Sequence, residues 1–119
     1  MLRIAVLGCG RIGQMHAANV AAHAKTELAM VYDVHTPSAD AVAEKVGAKV
    51  AASAEDVFAS AEVDAVLIAT ATPTHADYIE QAVAAGKAAL CEKPIDLDLD
   101  RVNLCAERIA GTSVPIKLA

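Results

Sequence analysis

Short apolar runs alternate along the chain with longer segments in which apolar residues recur at every third or fourth position. The short runs predict strands and the longer segments predict helices, because side chains alternate across a strand and repeat about every 3.6 residues on a helix. Regular alternation of the two is typical of stacked β-α-β units on a parallel sheet. We therefore predict an α/β fold with a doubly wound parallel sheet in three layers.

The predicted elements follow one another without a long connection. The strands are Leu2 to Leu7, Glu27 to Asp33, Lys49 to Ala51, Asp64 to Thr70, Ala88 to Cys91 and a segment that begins at Val114. The helices, with their caps, run from Arg11 to about His23, from Thr36 to Gly47, from Ser53 over a short segment, from Thr72 to Gly86 and from Leu99 to Gly111. The fourth strand is almost wholly apolar, which predicts a central place in the sheet.

The chain is long enough for one compact domain and too short for two. It has 119 residues, of which 55% are hydrophobic and 21% charged, a composition that excludes disorder. We predict a single domain over residues 1–116. Lys117 falls where a buried strand is expected, so we interpret residues 117–119 as a vector-derived tail.

Charge and cysteine usage exclude several classes of function. The net charge of −5 leaves no basic stripe for a nucleic acid or an anionic membrane. No apolar run approaches the roughly 20 residues of a membrane span, and no signal peptide is evident, so we expect a cytoplasmic protein. The three cysteines have no C-x-x-C spacing and the histidines are scattered, so we expect reduced thiols and no metal site.

The loop after the first strand reads Gly8-Cys9-Gly10-Arg11-Ile12-Gly13. This is the G-x-G-x-x-G pattern between a strand and a helix that marks a dinucleotide-binding Rossmann domain. The glycines allow a tight turn, close approach of a diphosphate and close packing of the helix, and the helix N-terminus offers free N–H groups. We predict that Gly8, Gly10, Arg11, Ile12 and Gly13 bind the cofactor; the alternatives are an ordinary turn and an Arg11 that points to water.

Asp33 ends the second strand, twenty positions after Gly13. At this place a carboxylate hydrogen-bonds the adenosine ribose, and no arginine follows to pair with a 2′-phosphate, so we predict NAD as the cofactor. Hydrogen bonds to a charged acceptor contribute about 1.5 to 3 kcal/mol, which corresponds to a preference over NADP of roughly tenfold to a hundredfold. The alternative is a solvated turn aspartate. His16 is interpreted as a half-buried packing residue.

Two further motifs carry a family resemblance. The runs Thr70-Ala71-Thr72-Pro73-Thr74-His75 and Cys91-Glu92-Lys93-Pro94, with the glycine loop, resemble the glucose-fructose oxidoreductase, inositol dehydrogenase and rhizopine-catabolism family over essentially the whole chain. The run from Glu92 to Leu99 looks most like that of inositol 2-dehydrogenases.

The resemblance implies roles for these residues. Lys93 would line the nicotinamide crevice as the catalytic residue and hydrogen-bond a substrate hydroxyl, Glu92 would meet the nicotinamide ribose, and the bond to Pro94 would be cis. The turn of Thr70, Ala71, Thr72 and Pro73 would lie beside the cofactor, although Thr72 could instead serve only as a helix cap. For His75 the choice between contact with the site and simple packing stays open.

The implied reaction of the parent protein is hydride transfer from a polyol hydroxyl carbon to NAD. The acid/base histidine of the family comes from an Asp-x-x-x-His segment in a C-terminal α/β substrate domain, which has no counterpart in this sequence. We therefore expect this chain to bind NAD without turnover and to meet the polyol only in a full-length parent. The alternatives are a non-catalytic NAD-sensing module, or an engineered fragment that forms a homodimer through an exposed sheet edge.

Overall fold

Six strands and five helices alternate in the computed structural model, which describes all residues from 1 to 119. The strands are β1 Leu2–Leu7, β2 Thr26–Tyr32, β3 Lys49–Val50, β4 Ala65–Ile68, β5 Ala88–Cys91 and β6 Ile116–Leu118. The helices are α1 Arg11–Ala22, α2 Thr36–Val46, α3 Ala54–Ala59, α4 His75–Ala84 and α5 Leu99–Ile109, and a 3-10 turn at Thr72–Thr74 precedes α4.

All six strands are parallel and form one sheet in the order β3-β2-β1-β4-β5-β6. The order reverses between β1 and β4, and in sheets of this kind ligands bind in the crevice at the carboxyl ends of the strands around that switch point. The doubly wound parallel sheet and the central place of the fourth strand are thus confirmed.

Two apolar cores hold the helices on opposite faces of the sheet. On β1, Ala5 and Leu7 are buried in the core shared with α3, α4 and α5, whereas Val6 between them is buried in the core shared with α1 and α2. This is the two-residue period of a strand covered on both faces, and it makes the fold the predicted three-layer structure.

Two of the predicted helix caps are wrong by a few residues. Thr36 lies inside α2 and the cap position falls to His35, because Pro37 is accommodated at the second rather than the first helical position. Thr72 likewise opens the 3-10 turn rather than capping α4, which begins at His75. The cap at Ser53 is confirmed, since its hydroxyl accepts a hydrogen bond from the N–H of Asp56 at 3.1 Å.

One face of the sheet stays partly open around β5 and β6. A depression of about 310 Å³ lies there, with walls formed mainly by apolar residues of β1, β4 and β5 and with Lys117 at its rim. Lys117 pairs with Leu90 across the β5–β6 ladder, so the boundary predicted after Ile116 falls inside β6. The origin of residues 117–119 stays a prediction.

None of the helices combines the length and the apolar character needed to pass through a bilayer.

Candidate cofactor-binding site

The register of the sheet places the loops that follow β1, β2, β4 and β5 side by side at one edge. Leu7 at the end of β1 pairs with Tyr32 of β2 and with Ile68 of β4, and Ile68 pairs with Cys91 of β5. The next residue of each strand therefore begins a loop at the same edge of the sheet. These four residues are Gly8, Asp33, Ala69 and Glu92.

The glycine loop is packed tightly at its two ends and open in its middle. Gly8 has φ of +99°, and a Cβ there would lie 2.4 Å from the carbonyl oxygen of Ala69. A Cβ on Gly13 would lie only 1.7 Å from the carbonyl oxygen of Gly8, so the first turn of α1 packs directly on the loop. A Cβ on Gly10 would meet no protein atom within 4 Å. The loop therefore leaves free space at Gly10.

The beginning of α1 offers backbone donors toward that space. Gly10 is its cap residue, and no side chain accepts a hydrogen bond from the first turn. A helix begins with N–H groups that have no intrahelical acceptor, and together they attract an anion. The side chains of Arg11 and Ile12 are exposed beside these donors, and Arg11 forms no hydrogen bond or ion pair within the protein. The arrangement can hold a diphosphate.

Asp33 holds the glycine loop in place. One carboxylate oxygen accepts the N–H of Cys9 at 2.7 Å and the other accepts the N–H of His35 at 2.8 Å. A carboxylate offers about four acceptor positions, so a ribose hydroxyl still finds a partner on this half-buried side chain. Sequence reasoning missed the bond to Cys9. Leu7 pairs with Tyr32, so Asp33 lies one position beyond that pair and Cys9 lies two positions beyond it.

The thiol of Cys9 inside this loop is not a nucleophile. Burial, and secondly the negative charge of Asp33, raise its pKa to about 11. The thiol donates instead to the carbonyl oxygen of Tyr32 at 3.6 Å. Cys9 therefore helps to close the turn and takes no chemical part in the site.

The turn from Thr70 to Thr74 is held by its own hydroxyls. The two threonine hydroxyls lie 2.6 Å apart, and that of Thr74 donates to the carbonyl oxygen of Ala71 at 2.7 Å. Ala71 and Pro73 are exposed, whereas Thr72 is partly buried. The predicted cofactor turn is thus a hydrogen-bonded loop with Ala71 and Pro73 at the surface.

His75 joins this turn to the loop after β5. Its ring is 2% exposed, and its nitrogens lie 2.7 Å from the carbonyl oxygen of Pro94 and 2.9 Å from that of Thr70. Both polar atoms of the ring are therefore engaged with backbone.

The loop after β5 presents a lysine between two anchored neighbours. The Lys93–Pro94 bond is cis, as the resemblance implied. The Lys93 side chain is exposed and its ammonium group forms no ion pair within the protein. Glu92 is held by its backbone N–H, which donates to the carbonyl oxygen of Ile68 at 3.0 Å, and by His16, whose Nε2 lies 2.5 Å from Oε1. His16 is thus half-buried as predicted, but sequence reasoning missed its partner.

Two other features lie outside this arrangement. A depression of about 480 Å³ between α1 and α2 is lined by none of the candidate residues. No three side chains of His, Cys, Asp or Glu come together in a way that could hold a metal ion.

Comparisons with known proteins agree with this geometry. The family described as "Oxidoreductase family, NAD-binding Rossmann fold" matches residues 2–117. The chain is 43% identical over 115 residues to an inositol 2-dehydrogenase of Rhizobium meliloti (strain 1021), an alignment that covers 97% of this chain and 34% of that protein.

Solved structures of similar proteins superpose over nearly the whole chain. A myo-inositol dehydrogenase from Corynebacterium glutamicum ATCC 13032 has a TM-score of 0.94 at 44% identity, with 100% of this chain and 36% of that one covered. A scyllo-inositol dehydrogenase from Lactobacillus casei, solved with bound NAD(H) and scyllo-inositol, has a TM-score of 0.93 at 30% identity and the same coverage. The chain thus spans about a third of the length of the relatives it matches.

The glycine loop yields a matched pair of variants. We expect Gly10→Ala to unfold at the wild-type temperature, because its Cβ meets no protein atom, yet to bind NAD at least about tenfold more weakly, because the methyl group occupies the space of the diphosphate. We expect Gly13→Ala to lose more than about 2 kcal/mol of unfolding free energy, because its Cβ meets the backbone of Gly8. Thermal unfolding and calorimetric titration measure the two effects. A Gly10→Ala protein with wild-type affinity contradicts the placement of the diphosphate.

Proposed function

Because the chain belongs to the oxidoreductase family with an NAD-binding Rossmann fold, we propose that it forms the cofactor half of an enzyme like the inositol 2-dehydrogenases. The observation that carries the proposal is the alignment of four strand ends, which brings the glycine loop, the carboxylate of Asp33 and the exposed Lys93 to one edge of the sheet. A dinucleotide is an extended molecule whose parts need these groups in this order.

The adenosine half of NAD fits the loops of β1 and β2. The N–H groups at the start of α1 face the diphosphate, which an acidic protein can then hold without a lysine. Arg11 adds a cation beside them. Asp33 accepts the ribose hydroxyls and repels a 2′-phosphate, which favours NAD over NADP.

The nicotinamide half fits the loops of β4 and β5. Thr70, Ala71, Thr72 and Pro73 flank the cofactor, and Glu92 meets the nicotinamide ribose. When bound, NAD would accept a hydride from a hydroxyl-bearing carbon. The exposed ammonium group of Lys93 hydrogen-bonds the substrate hydroxyl, and the absence of an ion pair within the protein supports this role. In this proposal His75 contacts no ligand, because both ring nitrogens face backbone carbonyls.

A polyol is the substrate that this family membership favours. Similar proteins are described as myo-inositol and scyllo-inositol dehydrogenases. The proton of the substrate hydroxyl must go to a base, and the groups of this chain at the crevice provide a carboxylate held by His16 and a lysine. We therefore assign the base to residues outside this chain.

The three buried free thiols support a cytoplasmic location of the parent protein.

The cofactor preference can be tested at Asp33. We expect the wild-type chain to bind NAD roughly tenfold to a hundredfold more tightly than NADP, because the carboxylate accepts ribose hydroxyls and repels phosphate. Asp33→Asn keeps an acceptor for the N–H of Cys9 and removes the charge, so it should retain the fold and lose the preference. Asp33→Ala should lose the preference and weaken the loop. Calorimetric titration with both cofactors measures this, and an Asp33→Asn protein with the full preference contradicts the assignment.

Turnover should be lacking in this chain alone. With myo-inositol and NAD we expect no NADH formation above background, because in the proposal Lys93 donates to the substrate hydroxyl, Glu92 is engaged by His16 and the nicotinamide ribose, and the base lies outside this chain. The inositol 2-dehydrogenase of Rhizobium meliloti serves as the positive control in the same absorbance assay. A rate comparable to that of the control would show that the chain holds its own base.

The proposal also includes a homodimer that forms through the exposed edge of the sheet at β6. The open apolar face next to β6 supports self-association, whereas Lys117 on the edge strand opposes it. We expect light scattering to show a mass that rises with protein concentration toward two chains. A mass of one chain at every concentration, with and without NAD, removes the dimer from the proposal.

A further inference from the structure

We propose that His16 is a positioning residue that holds the Glu92 carboxylate for the nicotinamide ribose, an inference that rests on the proposed function. The observation behind it is a side-chain contact between residues 76 positions apart: Nε2 of His16 lies 2.5 Å from Oε1 of Glu92. A carboxylate can only accept, so the ring nitrogen donates. The sequence predicted only a packing role for this histidine, and the contact with Glu92 goes beyond packing.

The contact fixes one oxygen of Glu92 and leaves the other free. The side chain of His16 is 17% exposed and that of Glu92 is 31% exposed, so the bond is partly shielded from water. The backbone of Glu92 is pinned at the same time by the carbonyl oxygen of Ile68. Oε2 has no hydrogen-bond partner within the protein. Glu92 therefore offers one acceptor in a set position, which is what recognition of a ribose hydroxyl requires.

Glu92 pairs with His16 and not with its neighbour in the chain. Lys93 follows directly, and its ammonium group would be an attractive partner for a free carboxylate. In the structure Glu92 pairs with His16, and Lys93 is left without an ion pair. The two charges of this loop are thus not paired with each other, and in the proposal Glu92 meets the cofactor and Lys93 the substrate.

His16 also connects the two halves of the site. It lies on α1, whose first turn faces the proposed diphosphate, and it reaches the loop that follows β5. Removal of the ring should therefore affect ligands that carry a nicotinamide ribose and spare ligands that end at the diphosphate. A role in packing alone would affect both kinds of ligand.

The test compares NAD with ADP, which lacks the nicotinamide ribose. We expect His16→Leu to weaken NAD binding about tenfold while the Kd for ADP changes less than twofold and the unfolding temperature stays within a few degrees. His16→Gln, whose amide can still donate, should recover most of the loss. His23→Leu changes an exposed histidine just beyond the end of the same helix, and it should alter neither Kd.

A double-mutant cycle identifies the partner. Glu92→Ala, which removes the acceptor, should weaken NAD binding by itself, and His16→Leu should add little to it, because both changes break the same contact. Equal losses for NAD and ADP, or an unchanged Kd for NAD in His16→Leu, overturn the inference while the proposed function stands. A wild-type chain that binds neither NAD nor ADP overturns the proposed function, and the inference with it.

Discussion

The site depends on the close approach of α1 to the loop from which it starts. The space that a Cβ of Gly13 would fill is already taken by the carbonyl group of Gly8, so only glycine allows the helix to begin there. The free N–H groups of the first turn of α1 therefore lie at the end of β1, next to the switch point of the sheet. A larger residue would move the helix axis away and the donors with it. The geometry of the anion site is therefore set by packing rather than by a charged side chain.

In the proposed function, loop stability and cofactor choice both depend on the carboxylate of Asp33. The oxygen that accepts the N–H of Cys9 keeps the glycine loop closed against β2, and the group as a whole presents negative charge where a ribose would lie. Any change of cofactor preference at this position must therefore replace the support for Cys9 as well.

Most of the fold could be predicted from the sequence, because the strands and helices follow from the spacing of apolar residues along the chain. The Rossmann sheet and the order of its elements come from apolar alternation, and β5 was predicted to the residue. The errors lie at the ends of elements. Thr72 was predicted as the start of a helix, but Pro73 is compatible with a 3-10 turn as well as with an α-helix, and the α-helix begins only at His75. The bond from the Cys9 N–H to Asp33 and the contact of His16 with Glu92 were missed, because contacts between residues 24 and 76 positions apart leave no period in the sequence. The family resemblance named candidate residues of the site but not the contacts that hold them.

Two histidines hold the loop after β5 from either side of Lys93. His16 bonds the carboxylate of Glu92, and His75 lies within hydrogen-bond distance of the carbonyl oxygen of Pro94. The lysine side chain between these anchors forms no ion pair and stays exposed. A group held in this way loses little further backbone freedom when a substrate hydroxyl binds, which favours an ordered complex. Since proton removal still needs a base, the proposed function gives this chain the task of positioning the cofactor and one cation, and it leaves the base to residues outside the chain.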